Sequence, residues 1–200
     1  MFYFERKLKK TGIDTIIGID EVGRGPLAGP VVAGAVSLRN LSFKNRIDDS
    51  KKLTPGQREK AFREIVEKSI FGLGIIGEKI IDRENISVAT AMAMRQAVVA
   101  LVEKLEHRDN RRIHVLVDGN VALECGFDST SIIKGDSRSI SIACASILAK
   151  VVRDRIMVFY DKIFPKYGFL EHKGYPTEKH RQAIRKYGPS EIHRFSFYGV

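Results

Sequence analysis

Apolar runs of six to nine residues alternate with amphipathic stretches along most of the chain. Residues 13–20, IDTIIGID, are almost continuously apolar and read as a buried strand, stopped by the turn residues of Gly23-Arg24-Gly25-Pro26. Residues 30–38 form a second such run, close enough to pair with the first as a hairpin. Thr54 followed by Pro55 marks a helix start, a capping residue and then Pro at the first helical position. That helix is expected to reach about Lys68 and to bury Ala61, Phe62, Ile65 and Val66. A third strand is expected at 71–76. A long helix should follow over 82–106, because Ile86, Ala89, Ala93, Ala97, Ala100, Leu101 and Leu105 recur at three- and four-residue steps. Residues 113–117 (IHVLV) read as a short buried strand ending at Asp118-Gly119-Asn120, and 130–133 as another. Residues 139–164 have the period of a helix with Ile147, Val151 and Val158 on one stripe, and a last short helix is expected over 177–186.

Strands come first and then alternate with helices, which predicts an α/β fold around a sheet of mixed direction. Ligands of such sheets gather beyond the strand ends. Two acidic sites, Asp20-Glu21 and Asp118, each close an apolar strand and each precede glycine.

Charge narrows the partners. The 200 residues hold 34 Lys and Arg against 24 Asp and Glu, a formal net charge of +10. Such an excess favours a polyanion, since each phosphate contacted releases counterions. Basic residues gather at Lys51-Lys52, at Arg111-Arg112, and in the C-terminal third at Lys173, Lys179, Arg181, Arg185, Lys186 and Arg194. No run approaches the ~20 apolar residues needed to span a membrane. The start, with Phe and Tyr among Glu and Lys, lacks a signal-peptide core. Cys125 and Cys144 lie far apart and fit neither a zinc framework nor a disulfide scaffold, which suits a reducing compartment.

A carboxylate closing a buried strand is costly unless it is paired or meets a cation. An isolated Asp-Glu pair would most simply accept the N–H groups of the turn and face solvent. Two acidic strand ends converging on one cleft repel unless a cation lies between them. Oxygen-only donors suit Mg²⁺ or Mn²⁺ rather than zinc. Together with a basic surface they point to phosphoryl transfer on nucleic acid. Adjacent strand residues face opposite ways, so Asp20 and Glu21 can share an ion only if the chain ends or bends there, as Gly23 permits.

Seven short motifs in order extend this picture over nearly the whole chain: DEVGRGPLAGP (20–30), DSKKL (49–53), VDGN (117–120), KGD (134–136), IACASILAKVVRD (142–154), HKGYPT (172–177) and GPSEIHRFSF (188–197). This series resembles ribonuclease HII. The resemblance implies an RNase H-like mixed five-stranded sheet flanked by helices over 1–164, with a small helical, substrate-contacting extension over 165–200. It also implies an endoribonuclease that cuts the RNA strand of RNA–DNA hybrids. Such an enzyme also cuts 5′ to single ribonucleotides in duplex DNA, leaving 3′-hydroxyl and 5′-phosphate ends by two-metal-ion catalysis.

Carried over position by position, Asp20, Glu21 and Asp118 match the family's carboxylate ligands of Mg²⁺ or Mn²⁺. Asp136 of the KGD motif matches the fourth and is preferred; its structural alternative is a helix N-cap, with Ser137 opening the next helix. Asp154, on the apolar stripe of its helix, is the alternative to it. Gly23, Arg24 and Gly25 match the segment that senses a ribose 2′-hydroxyl through its backbone, Lys51 a phosphate contact, and Tyr175 the ring that stacks on the sugar beside the cut. His172 and His193 flank basic loops and receive no catalytic role. The family more often has Gly where Pro176 stands and a basic residue at Phe195. The enzyme is expected to be monomeric and cytoplasmic. Two rivals remain. One is a non-catalytic basic nucleic-acid binder. The other is a different nuclease of this fold, such as a junction resolvase, which would act as a dimer on four-way junctions, or ribonuclease HIII, which carries an extra N-terminal domain that the 12 residues before the first strand leave no room for.

Overall fold

The computed structural model describes residues 1–105, 112–120 and 122–200. Five strands form one sheet in the order β3-β2-β1-β4-β5. Strands β1 (Thr15–Val22), β2 (Val31–Leu38) and β3 (Ser69–Ile76) make an antiparallel meander, while β4 (Ile113–Asp118) runs parallel to β1 and β5 (Asp128–Ile132) parallel to β4. The sheet is therefore mixed, as the element order predicts. Strand β1 runs two residues past its expected end, so Asp20 and Glu21 both lie within the ladder, opposite Gly34 and Ala33 of β2.

Helices cover both faces. Helix α4 (Ile86–Val102) packs Ala89, Ala93 and Ala97 onto Ile17, Ile19, Ala33, Ala35, Val115 and Val117. Its small side chains let the helix sit close: a Cβ at Gly74 of β3 would lie 1.8 Å from the Ala93 carbonyl oxygen. On the opposite face, α5 (Ile140–Ile163) buries Cys144, Ala145, Ile147 and Leu148 against Val36 and against α2 (Pro55–Lys68). A capping box closes the start of α2, with Thr54 and Gln57 bonding reciprocally. Val66, expected in the core, is on the exposed side of that helix, and Phe62 is half-buried.

Two departures from the predicted elements have local causes. The long helix expected over 82–106 is broken into α3 (Glu78–Glu84) and α4, and its expected last residue, Glu106, lies outside the described residues. The break is Asn85, whose φ of 69° leaves the helical region while its Oδ1 accepts the amides of Ser87 and Val88 as an N-cap. The N-terminal segment, with no element predicted, folds into α1 (Tyr3–Lys10). Its buried Glu5 accepts bonds from the Ser139 and Ser141 hydroxyls and the Ser141 amide, placing a carboxylate at the start of α5.

The C-terminal part, α6 (Phe169–His172), α7 (Glu178–Tyr187) and the tail, packs on the end of α5 around Ala28, Met157, Phe169 and Ile192. It is joined to the chain leaving β1 through main-chain bonds from Leu27 to Gly174, Gly29 to Ile192 and Arg194 to Leu27. Asp82 anchors the tail by accepting the amides of Phe195 and Ser196 and the Ser196 hydroxyl. Among the described residues no helix is long and apolar enough to cross a membrane.

Candidate active site

The parallel pairing of β1 with β4 aligns Ile19 with Val117, so their acidic ends emerge side by side at one edge of the sheet. Asp20 turns to the α5 face, where it is 6% exposed and within reach of the Ser146 hydroxyl. Glu21 turns to the other face, into a cavity of 170 Å³ whose walls include Ser87, Thr90 and Met94 of α4 together with Asp118. The bend that would bring both carboxylates to one face does not occur inside β1. Gly23, at φ +100°, ends the strand one residue later. A Cβ there would lie 2.3 Å from the Arg153 Nε and 2.7 Å from the Pro30 oxygen, so only glycine fits.

Asp118 is held at the edge by accepting the Gly135 amide at 2.6 Å. That bond belongs to the turn after β5, which also carries Asp136. The turn is a single 3-10 segment, Gly135–Ser137; the N-cap of α5 is Ser139, so Asp136 does not cap that helix. Asp136 is buried beside Asp118 and Asp49. Asp154 stands elsewhere, paired with Lys150 at 2.8 Å in a groove formed with Pro55, Arg58 and Arg155. Its ion-pair partner is a lysine, and it is not among the main charges acting on Asp20, Glu21 or Asp136.

The electrostatics fit a cation at this edge. Burial, followed by the charges of Glu21 and Asp118, pushes the Asp20 carboxyl well above the usual range. Burial also raises Glu21, helped by Asp118 and opposed by Arg24, and it raises Asp136, helped by Asp49 and Asp118. Among the described residues these acids are not closed into a ready cage, as mutual repulsion requires. A divalent ion with oxygen-only preference would relieve that repulsion; of the candidate ligands, Asp20 approaches this edge from the α5 face of β1, Glu21 from the α4 face, and Asp118 and Asp136 from β4 and the turn after β5.

The basic residues singled out in the sequence divide into those that face the acids and those that do not. Partial burial alone would depress Lys51, but Asp49, Asp20, Asp136 and Asp118 outweigh it and leave the ammonium more basic than usual. Lys51 thus lies within electrostatic reach of these carboxylates. Arg24, half exposed, reaches Glu21 at 3.6 Å. Gly25 is exposed, with nothing within 4 Å of a would-be Cβ, so the main chain there is open to approach. Tyr175 is 38% exposed, its ring 5.8 Å from the Arg153 guanidinium and 5.9 Å from the Lys150 ammonium. Arg111, from the predicted basic pair, lies outside the described residues.

Arg194 requires a correction. Counted in the sequence as part of a basic surface, it is fully buried, with its pKa lowered to about 9 by desolvation and by Arg153. Its guanidinium donates to the carbonyls of Gly23, Arg24 and Gly29, and the equally buried Arg153 donates to those of Ala28, Pro30 and Lys173. Two arginines therefore shape the loop after β1 from behind, a role that sequence reasoning missed. His193 is also buried, and so is unavailable to phosphate; His172 is half-buried and bonded to the chain around it.

Comparisons with known proteins place the chain in a family and match its fold. The profile of the family described as "Ribonuclease HII" matches residues 17–200. The ribonuclease HII of Caldicellulosiruptor bescii is 48% identical over 200 residues, 98% of this chain and 92% of that protein. The ribonuclease HII of Geobacter sulfurreducens is 49% identical over 198 residues, covering 98% and 88%. Among solved structures, ribonuclease H2 from Pyrococcus horikoshii superposes with a TM-score of 0.72 at 26% identity, over 92% of this chain and 94% of that one. The fold is shared by Bst-RNase HIII in complex with Mn²⁺, at TM-score 0.68 and 19% identity over 92% of this chain and 67% of that one.

Proposed function

This chain belongs to the ribonuclease HII family and is a ribonuclease H acting on RNA–DNA hybrids, and from that premise we propose how it does so. Asp20, Glu21, Asp118 and Asp136 hold Mg²⁺ or Mn²⁺ at the sheet edge. The observation that carries this reading is the convergence of buried Asp20 with half-buried Glu21 and Asp118, mutually repelling, at the paired ends of β1 and β4. When bound, two such ions would supply an activated water and stabilise the leaving oxygen of the phosphodiester. A Mn²⁺-bound HIII of the same fold supports the choice of metal.

The chain's own groups supply position. The backbone of Gly23, Arg24 and Gly25 reads the ribose 2′-hydroxyl, so cutting falls 5′ to a ribonucleotide, including a lone one in DNA. Lys51 meets the phosphate in front of the carboxylates. The Tyr175 ring stacks on the deoxyribose beside the cut. Residues 165–200 serve as the substrate-contacting extension. The enzyme is proposed to act as a monomer in the cytoplasm.

The ligand assignment is tested by comparing Asp136→Asn with Asp154→Asn at saturating Mg²⁺. The first should lose most turnover while keeping hybrid affinity. The second, which breaks only the pair with Lys150, should stay within roughly tenfold of wild type, as expected for a partly exposed ion pair away from the acids. The reverse order would move the fourth ligand to Asp154.

A further inference from the structure

Behind Tyr175 lies a group of three histidines to which the proposed chemistry gives no part. His180 and His193 are fully or almost fully buried, and their Nε2 atoms lie 3.0 Å apart. His180 Nδ1 lies 3.0 Å from the Tyr175 carbonyl oxygen, and His193 Nδ1 lies 2.9 Å from the Ser190 amide nitrogen. His172 stacks on His180, ring centroids 4.3 Å apart, and its main-chain oxygen accepts the Tyr175 amide.

The two ends of this series fix its protons. A carbonyl only accepts, so His180 Nδ1 must carry hydrogen and, in the neutral ring, its Nε2 must be bare. An amide N–H only donates, so His193 Nδ1 must be bare and its Nε2 must carry hydrogen. The middle contact is then Nε2–H of His193 donating to Nε2 of His180, and the two independent ends demand the same direction. One added proton would set two N–H groups against each other or against the Ser190 amide. Burial lowers the pKa of both rings to about 4, in keeping with neutral imidazoles at pH 7.

We propose that Ser190, His193 and His180 form a hydrogen-bond relay of fixed direction that positions the Tyr175 loop and thereby sets the preference for a DNA–RNA junction over a uniform hybrid. The loop needs such support. Lys173 and Gly174, just before Tyr175, both have positive φ, of 51° and 85°. The Gly174 carbonyl accepts the Leu27 amide, so the relay also fixes Tyr175 relative to the Gly23-Arg24-Gly25 segment on the same loop. A ring and a 2′-hydroxyl sensor held at one spacing can require a deoxyribose and a ribose in adjacent positions. His180 and His193 are positioning residues, since neither reaches the surface where substrate binds. The inference rests on the reading of Tyr175 as the ring that meets the sugar.

The test uses the full chain and two substrates, a DNA duplex with one ribonucleotide and a uniform RNA–DNA hybrid, with kcat/KM measured on each. In His180→Gln the side-chain amide can still meet His193 but cannot donate to the Tyr175 carbonyl. In His180→Asn the amide replaces Nδ1 and keeps that bond. The junction-to-hybrid ratio should fall about tenfold or more in His180→Gln, the scale of a lost stacking contact, and recover in His180→Asn. Long-range ¹H–¹⁵N spectra of the wild-type protein should show His180 as the Nδ1–H tautomer and His193 as the Nε2–H tautomer. A ratio unchanged in His180→Gln, or His180 found charged or as the Nε2–H tautomer, overturns the relay. A wild-type enzyme that shows no junction preference overturns the reading of Tyr175 instead.

Discussion

Asp20 carries a cost that its neighbours do not remove. It sits against α5 in a nearly dry position, with Glu21 and Asp118 adding negative charge and the Ser146 hydroxyl, the Glu21 amide and the Lys51 ammonium too weak to offset burial. Its folded pKa lies above its ordinary value of 3.8, so the folded chain holds a proton that the unfolded chain releases. Stability therefore falls as pH rises from about 3.8 through the raised folded value. Asp20→Asn keeps the acceptor oxygen for the Glu21 amide and removes the charge. In metal-free buffer it should raise the Tm by a few degrees at pH 8, with a smaller gain at pH 5, while removing most turnover. A melt with no gain at pH 8 would mean that Asp20 is solvated or already paired. Such a trade, activity held at the expense of stability, is what the proposed role of Asp20 predicts.

At the scale of elements, the loop from Gly23 to Pro30 is held by six carbonyl contacts to two buried guanidinium groups, Arg153 from α5 and Arg194 from the tail. A planar fork matches such divergent acceptors, and a lysine ammonium cannot. Arg194→Lys should therefore destabilise the protein by about 3 kcal/mol, measurable by urea unfolding. It should also weaken cutting at a single ribonucleotide more than hybrid binding, because the carbonyls of Gly23 and Arg24 lose their support. Equal losses in both would leave Arg194 as packing alone. The strands and most helices were legible because apolar runs bounded by Gly, Pro and Thr carry their own limits. The Asn85 break was not, since the apolar spacing from Ile86 to Leu101 is that of one long helix, and the left-handed φ of a single Asn leaves no mark on that period. Helix α1 was missed for the opposite reason: its stripe is short and shared with four basic residues, and its anchor, Glu5, is a charge bonded to the start of α5. Buried arginines are invisible by default, because a basic residue reads as surface until its acceptors are known.

Across the whole molecule, parallel pairing of β1 and β4 does what no local pattern can: it brings Asp20, Glu21 and Asp118 to one edge from positions about a hundred residues apart. The acids themselves were readable as strand ends. Asp136 was preferred to Asp154 through family resemblance, and the turn after β5 is what sets it beside Asp118. Asp49, which adds its charge to this group, carried no signal of its own beyond the motif that contains it. The net charge of +10 pointed to a polyanion but overstated the basic surface by at least Arg194. The central claim is that these carboxylates, with a divalent ion, direct water at the phosphate 5′ to a ribonucleotide whose 2′-hydroxyl is only read. Incubating the enzyme with a DNA duplex that holds one ribonucleotide, with and without EDTA, and identifying the ends of the product tests it most directly. The account predicts a single cut 5′ to the ribonucleotide with 3′-hydroxyl and 5′-phosphate ends, abolished by EDTA and restored by Mg²⁺ or Mn²⁺. A cyclic 2′,3′-phosphate end, or cutting that persists in EDTA, would contradict it.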